Sequence, residues 1–284
     1  MVFAFEENRL QSVIVMGKGV SAEDVYKSVK GAENSLKSGI SFGFPWEAAY
    51  AKKLLAVAKL SFSYFGAFTG IDLGRPYLLM IDYEKDDILG SFDPAVPEGM
   101  GFLGGVITMY PKSLAQDKMM LKSPKQFASE SLITLAHEYT HATLAKIGAH
   151  RSMRDGFSEI LDESVANFVS RLFAQKIGII NFSEYEKTPG KLASVQQTRE
   201  IFAEIYAEEW MRQNGSDIDS AVILFTEEII ERMEQMCYAI YESSGDVGLF
   251  LKTISTIETV EDFRNEIARA TRARTSILKR VTRK

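Results

Sequence analysis

Cysteine, histidine and surplus positive charge are all scarce in this chain, and each scarcity excludes something. Cys237 is the only cysteine, so no intramolecular disulfide can form and a cysteine-rich structural metal site is ruled out. Lys and Arg number 33 against 38 Asp and Glu, a net charge of -5. That balance leaves no generally basic surface to displace counterions from a polyanion, so no nucleic-acid partner is expected. No uninterrupted apolar stretch reaches membrane-spanning length, and the opening MVFAFEENRLQSVIVMG has acids where a secretory signal would be positive. A cytoplasmic protein without a membrane span is the expectation. Internal repeats and low-complexity segments are also missing. The one local bias lies after Glu266, where Arg269, Arg272, Arg274, Lys279, Arg280, Arg283 and Lys284 follow without an acid. They fit a final helix whose cations complement the negative end of its dipole; an anionic partner is the competing reading.

What is present is an ordinary folding composition, 46% hydrophobic and 25% charged in 284 residues. Ser21 to Lys37, opened by a cap-like Ser-Ala-Glu-Asp, and Pro45 to Phe62, with proline in the first turn, read as two helices. PYLLMIDY (Pro76 to Tyr83) and GGVITMYP (Gly104 to Pro111) are short apolar or β-branched runs bounded by glycine and proline, which predicts strands. The glycines and prolines between Leu89 and Gly105 predict a turn-rich connection, and Gly90 to Gly105 is a candidate lid on that composition. Helices are expected from Ser123 to Lys146, with Gly148 as the stop, and from Phe157 to Gln175, where Phe157, Leu161, Val165, Phe168 and Leu172 share a face. The remainder reads as helical over Ala193 to Asn214, Asp217 to Glu242, Val247 to Ile254 and Val260 to Lys279.

Within the helix ending at Gly148 lies His137-Glu138-Tyr139-Thr140-His141, an HExxH sequence. Four residues exceed one helical turn only slightly, so both imidazoles face the same side and can supply two nitrogens to one tetrahedral zinc, with Glu138 near the vacant position as general base. Leu132, Leu135, Ala136, Tyr139 and Thr143 fall on the other sides. In a chain with 3 histidines, chance yields this motif on the order of a few times per thousand chains. The competing reading is a pair of helix histidines without metal.

A catalytic zinc needs a third protein ligand and an open position. A metzincin pattern would place glycine at 144 and histidine at 147, where this chain has Leu144 and Ile147. His150 is the only other histidine and matches no zinc spacing. The following helix offers Glu159, Asp162 and Glu163. Glu163 is preferred because Ala166, one turn on, allows close approach of the helices. Asn167 then stands where it could accept from the non-ligating nitrogen of His137. Glu159, Glu163, Asn167 and Ser170 form a polar strip, which without the HExxH would read as a solvated face.

HEYTH followed 22 positions later by Glu163, within LDESVANFVSRLF, resembles the gluzincin metallopeptidases, in which HExxH lies on one helix and a ligand glutamate on the next. The spacing is similar to that of thermolysin-like enzymes. Glu163, Ala166 and Asn167 match elements of two subgroups: one with a Glu-Gly-x-Ala ligand motif, and the repressor-cleaving peptidases with a Glu-x-x-Ala-Asn-x-Phe-like ligand helix. Ser164 replaces the glycine of the first, and the Leu-Leu-Met-Pro-like ending of the second is missing. The resemblance covers about residues 104 to 173 and implies one Zn2+ per chain, a peptide or protein substrate, and an edge strand before the active-site helix that pairs with substrate backbone. Gly105 and Val106 occupy that place in sequence. No tyrosine lies between His141 and Glu163 to serve as the thermolysin-type oxyanion donor; Tyr206, Tyr238 and Tyr241 are candidates, as are Arg151 and Arg154.

The expected fold is α+β and mostly α-helical, zincin-like. An N-terminal lobe (1–147) would carry the small sheet and the HExxH helix, and a helical lobe (148–284) the third ligand, the two forming one catalytic unit with zinc in the cleft between them. The expected activity is peptide-bond hydrolysis. The alternative is a binding or regulatory protein that keeps a zinc site without turnover, which intact Glu138 opposes. A deformylase-like hydrolase fits less well, because its cysteine ligand precedes HExxH and Cys237 follows it.

Overall fold

The computed structural model describes residues 2–6, 9–36, 45–83, 88–111, 127–149, 156–180 and 220–281. The chain is α+β with helix predominating. Its strands are β1 (Val2–Glu6), β2 (Arg9–Ile14), β3 (Tyr77–Asp82), β4 (Gly90–Asp93) and β5 (Val106–Met109). Its helices are α1 (Ala22–Leu36), α2 (Pro45–Thr69), α3 (Phe127–Lys146), α4 (Gly156–Lys176), α5 (Ser220–Ser244), α6 (Val247–Ser255) and α7 (Val260–Val281). The helix expected over Ala193 to Asn214 lies outside the described residues.

The helix ends follow local chemistry. Ser21 and Asp24 cap α1 reciprocally: the Asp24 carboxylate accepts from the Ser21 amide at 2.9 Å and the Ser21 hydroxyl from the Asp24 amide at 3.3 Å. Thr259 and Asp262 repeat the arrangement at α7. α3 and α4 stop alike. The Gly148 amide donates to Ala145 and the Ala149 amide to Leu144; the Gly178 amide donates to Gln175 and the Ile179 amide to Ala174. Both glycines have positive φ, 75° and 79°, the left-handed conformation this stop requires.

The sheet order is β1-β2-β3-β5-β4, with β3 and β5 parallel and the other neighbours antiparallel. The strand pairings put Leu10, Ser12, Ile14, Tyr77, Leu79, Ile81, Ile107 and Met109 on one face, all buried. On the opposite face Leu78 and Val106 pack with Leu103, Val96 and Met100 from the connection between β4 and β5. A strand buried on both faces reads as a continuous apolar run, which is why β3 and β5 are evident in the sequence. β4 is not: Gly-Ser-Phe-Asp has weak strand propensity, and its pairing with β5 makes a strand inside the segment expected to be a turn-rich connection. β1 and β2 are a further departure, a hairpin that the short, broken apolar runs of the N-terminus did not announce.

One correction concerns substrate contact. β5 is flanked by β3 and β4, Val106 being opposite Leu78 on one side and Asp93 on the other. Gly105 and Val106 therefore do not lie on an edge strand; among the described residues β4 takes that position.

The chain divides into two compact units, Met1–Thr143 with Val169–Asn181, and Leu144–Phe168 with Phe182–Lys284. The chain changes unit within α3, after Thr143, and within α4, after Phe168. The first unit is organised around Tyr139. Its ring meets Phe62 and Phe65 edge-on at 5.2 and 5.7 Å, and Phe65 continues to Phe173 at 5.3 Å. The Tyr139 hydroxyl donates to the Ala58 carbonyl at 3.0 Å, and burial raises its pKa. At the other end of α3, the Ser129 hydroxyl donates to the buried Glu33 carboxylate of α1 at 2.7 Å, and Lys30 pairs with the same carboxylate at 2.8 Å. In the second unit Phe168 packs on Phe250 at 5.2 Å and on Tyr241 at 5.7 Å.

Removing the Phe65 ring should destabilise far more than removing the Tyr139 hydroxyl. Phe65→Ala is expected to cost about 3–5 kcal/mol and Tyr139→Phe about 1 kcal/mol, read from urea unfolding; equal losses would contradict this account of the first unit.

Candidate metal centre

α3 is buried nearly all round. Leu132, Leu135, Ala136, Tyr139 and Thr143 are all buried, as expected from their positions away from the histidines. Two of its buried hydroxyls are satisfied within the helix, Thr140 donating to the Ala136 carbonyl at 2.8 Å and Thr143 to that of Tyr139 at 2.7 Å. His137 is half-buried, while Glu138 is 4% and His141 7% exposed. A carboxylate and an imidazole so far removed from water call for a partner of opposite charge or a metal.

The two Nε2 atoms lie 3.0 Å apart, and the rings meet edge-on with centroids at 4.7 Å. Tetrahedral zinc with bonds of 2.0–2.1 Å sets its ligand nitrogens about 3.3 Å apart, so the pair already has nearly the required separation. Among the described residues, His137, His141 and Glu163 form a group whose ligand atoms lie within 4.8 Å of one another. Two imidazole nitrogens and one carboxylate oxygen are the donors that suit zinc and leave a fourth position open. These residues fit the ion.

The structure discriminates among the acids of α4. Glu163 is half-buried and joins the histidines; Glu159 is exposed, and Asp162 is buried without joining that group. Asn167 is half-buried one turn after Glu163. The expected polar strip is revised at its end, since Ser170 is buried and the half-buried line runs Glu163, Asn167, Arg171. Arg171 escaped the sequence reading although its i+4 spacing from Asn167 was visible. Ser164, at the position where one gluzincin subgroup has glycine, is buried and donates to the Ile160 carbonyl at 2.6 Å, so the helix accommodates it.

Tyr238 and Tyr241 pack on Phe168, with ring centroids at 6.3 and 5.7 Å. Phe168 projects roughly 140° around α4 from Glu163. Burial raises the pKa of Tyr241, and the Asp246 charge adds to it. Tyr206, His150, Arg151 and Arg154 lie outside the described residues. Cys237 is a buried thiol whose pKa is pushed up by burial and by Glu234, which suits packing rather than nucleophilic chemistry.

One neighbour of Glu138 was not foreseen. Gly90 of β4 lies against α3 so closely that a Cβ there would be 2.8 Å from Glu138 Oε1, 3.2 Å from Glu138 Cγ and 2.8 Å from Thr134 Cγ2. The Tyr110 amide donates to the Leu89 carbonyl at 3.1 Å. By the alternation of an antiparallel ladder, the amides and carbonyls of Gly90 and Phe92 then point away from β5.

No protein-family model, curated protein or solved structure matches the chain at a significant level.

The donor set predicts one zinc per chain in the purified protein by elemental analysis. His141→Ala and Glu163→Ala should each lose the ion on dialysis while keeping the helical circular dichroism; a protein that takes up no zinc would leave the two histidines as a metal-free pair.

Proposed function

We propose that the chain is a zinc-dependent metallopeptidase of gluzincin type that hydrolyses peptide bonds. The observation that carries this reading is the meeting of the His137 and His141 imidazoles with the Glu163 carboxylate, with Glu138 next to His137 on the same helix. Zinc, if held by those three groups, would supply Lewis acidity to a water and to the scissile carbonyl. Glu138, as general base, accepts a proton from the water whose oxygen adds to the carbonyl carbon, and delivers that proton to the amine nitrogen as the C–N bond breaks. Its burial favours the task, because a carboxylate with little solvent around it has little hydration to shed at the moment of proton transfer. Asn167, one turn from Glu163, fixes the orientation of a ligand imidazole.

The substrate is an extended peptide added to β4. The amide and carbonyl of Gly90, directed away from β5, offer main-chain pairing that is indifferent to side-chain identity, beside the residue assigned as base. Among the described residues no helix is long and apolar enough to cross a membrane.

Glu138→Gln separates binding from chemistry. The variant should retain zinc and bind peptide with KM changed little, while kcat falls by about 10²–10⁴-fold, the usual worth of a positioned acid–base group. Turnover within a few-fold of the parent, measured on a peptide-library substrate, would remove Glu138 from the mechanism.

A further inference from the structure

We propose that Gly90 is the positioning residue for Glu138, its missing side chain setting where the carboxylate rests. This inference rests on the peptidase reading above and extends it to a residue outside the HExxH helix. A Cβ on Gly90 would crowd three atoms of α3 together: Glu138 Oε1 at 2.8 Å, Glu138 Cγ at 3.2 Å and Thr134 Cγ2 at 2.8 Å. Contacts below 3.0 Å require something to move. Because Cγ is crowded as well as Oε1, the carboxylate must swing aside and the Cγ must give by a few tenths of an ångström, so the Glu138 side chain shifts from its place. Thr134 stands one turn before Glu138 and is buried, so the helix surface does not yield on that side either. β4 is meanwhile held along its side by its pairing with β5, Gly90 lying opposite Met109.

The close glycines at 104 and 105 differ in kind, since their added Cβ atoms would meet Tyr77 and Phe92, which belong to the packing of the sheet. Gly90 alone of the three meets the general base. Its backbone amide and carbonyl face the side of β4 away from β5, where the substrate main chain is proposed to pair. One residue therefore abuts the base with its α-carbon and fixes the peptide's register with its polar groups. The distance between carboxylate and scissile bond follows from this single backbone position, not from two independently mobile parts.

The test is Gly90→Ala in the full chain, read for zinc content, for kcat and KM separately, and for the Glu138 position in a crystal structure of the metal-free variant. Expected are one zinc per chain, KM within a few-fold of the parent, a carboxylate displaced by about 1 Å and kcat lowered about 10- to 100-fold, the penalty that such a misplacement carries. Should the variant fail to fold, Gly90→Ala with Thr134→Ser opens the Thr134 side while keeping the crowding of Glu138, and the same loss of kcat is expected. A Glu138 side chain that overlays the parent's, or an unchanged kcat, overturns the role of Gly90 while leaving the peptidase reading in place. A parent protein that hydrolyses no peptide overturns both. Failure of both variants to fold makes Gly90 a packing residue and ends the proposal.

Discussion

The rotation of α3 about its own axis is the constraint on which the candidate site depends, and Tyr139 holds it. The ring sits between Phe62 and Phe65 while its hydroxyl donates to the Ala58 carbonyl of α2. A helix turns roughly 100° per residue, so a slip of one position would carry His137 and His141 away from Glu163 and turn Tyr139 out of its aromatic setting. The tyrosine lies between the two histidines in sequence, and the same residues thus specify the core and aim the metal ligands. The buried hydroxyl–carbonyl bond adds direction to an otherwise non-directional apolar contact.

Around that helix, polar groups are buried with their hydrogen-bonding needs met locally. Thr140, Thr143 and Ser164 return their hydroxyls to carbonyls one turn back, so they fill space as small apolar residues do. Ser129 and Lys30 share the Glu33 carboxylate. Glu138 and His141, buried, and His137, half-buried, stand out against this background. Ionisable groups so close together are expensive to withdraw from water without a task, and a metal with its general base is the task that matches their types and spacing.

Sequence reading recovered the elements whose signals are periodic. The face Phe157, Leu161, Val165, Phe168 and Leu172 is buried throughout, and Gly148 ends α3 by the backbone conformation glycine favours. β4 escaped because four residues with glycine at the start carry almost no strand signal, and only the partner strand β5 defines it. The edge was misplaced for the same reason: β5 has the more obvious strand sequence, but neighbour order in a sheet is set by long-range pairing, which local pattern does not encode. The polar strip was right at Glu163 and Asn167, whereas Ser170, only about 20° from Glu163 on the helical wheel, is buried, because packing and not wheel angle decided its exposure.

The sequence by itself determined the α+β class, most helix limits, and the placement of two imidazoles and a glutamate on one helix, because those features depend on contacts within a turn or two of chain. Only the tertiary structure decided that Glu163, not Asp162 or Glu159, meets the histidines, that among the described residues β4, not β5, lies at a sheet edge, and that Gly90 abuts Glu138. Each of these joins segments far apart in the chain, and the helical repeat that orients a side chain carries no information about which distant backbone will stand in front of it.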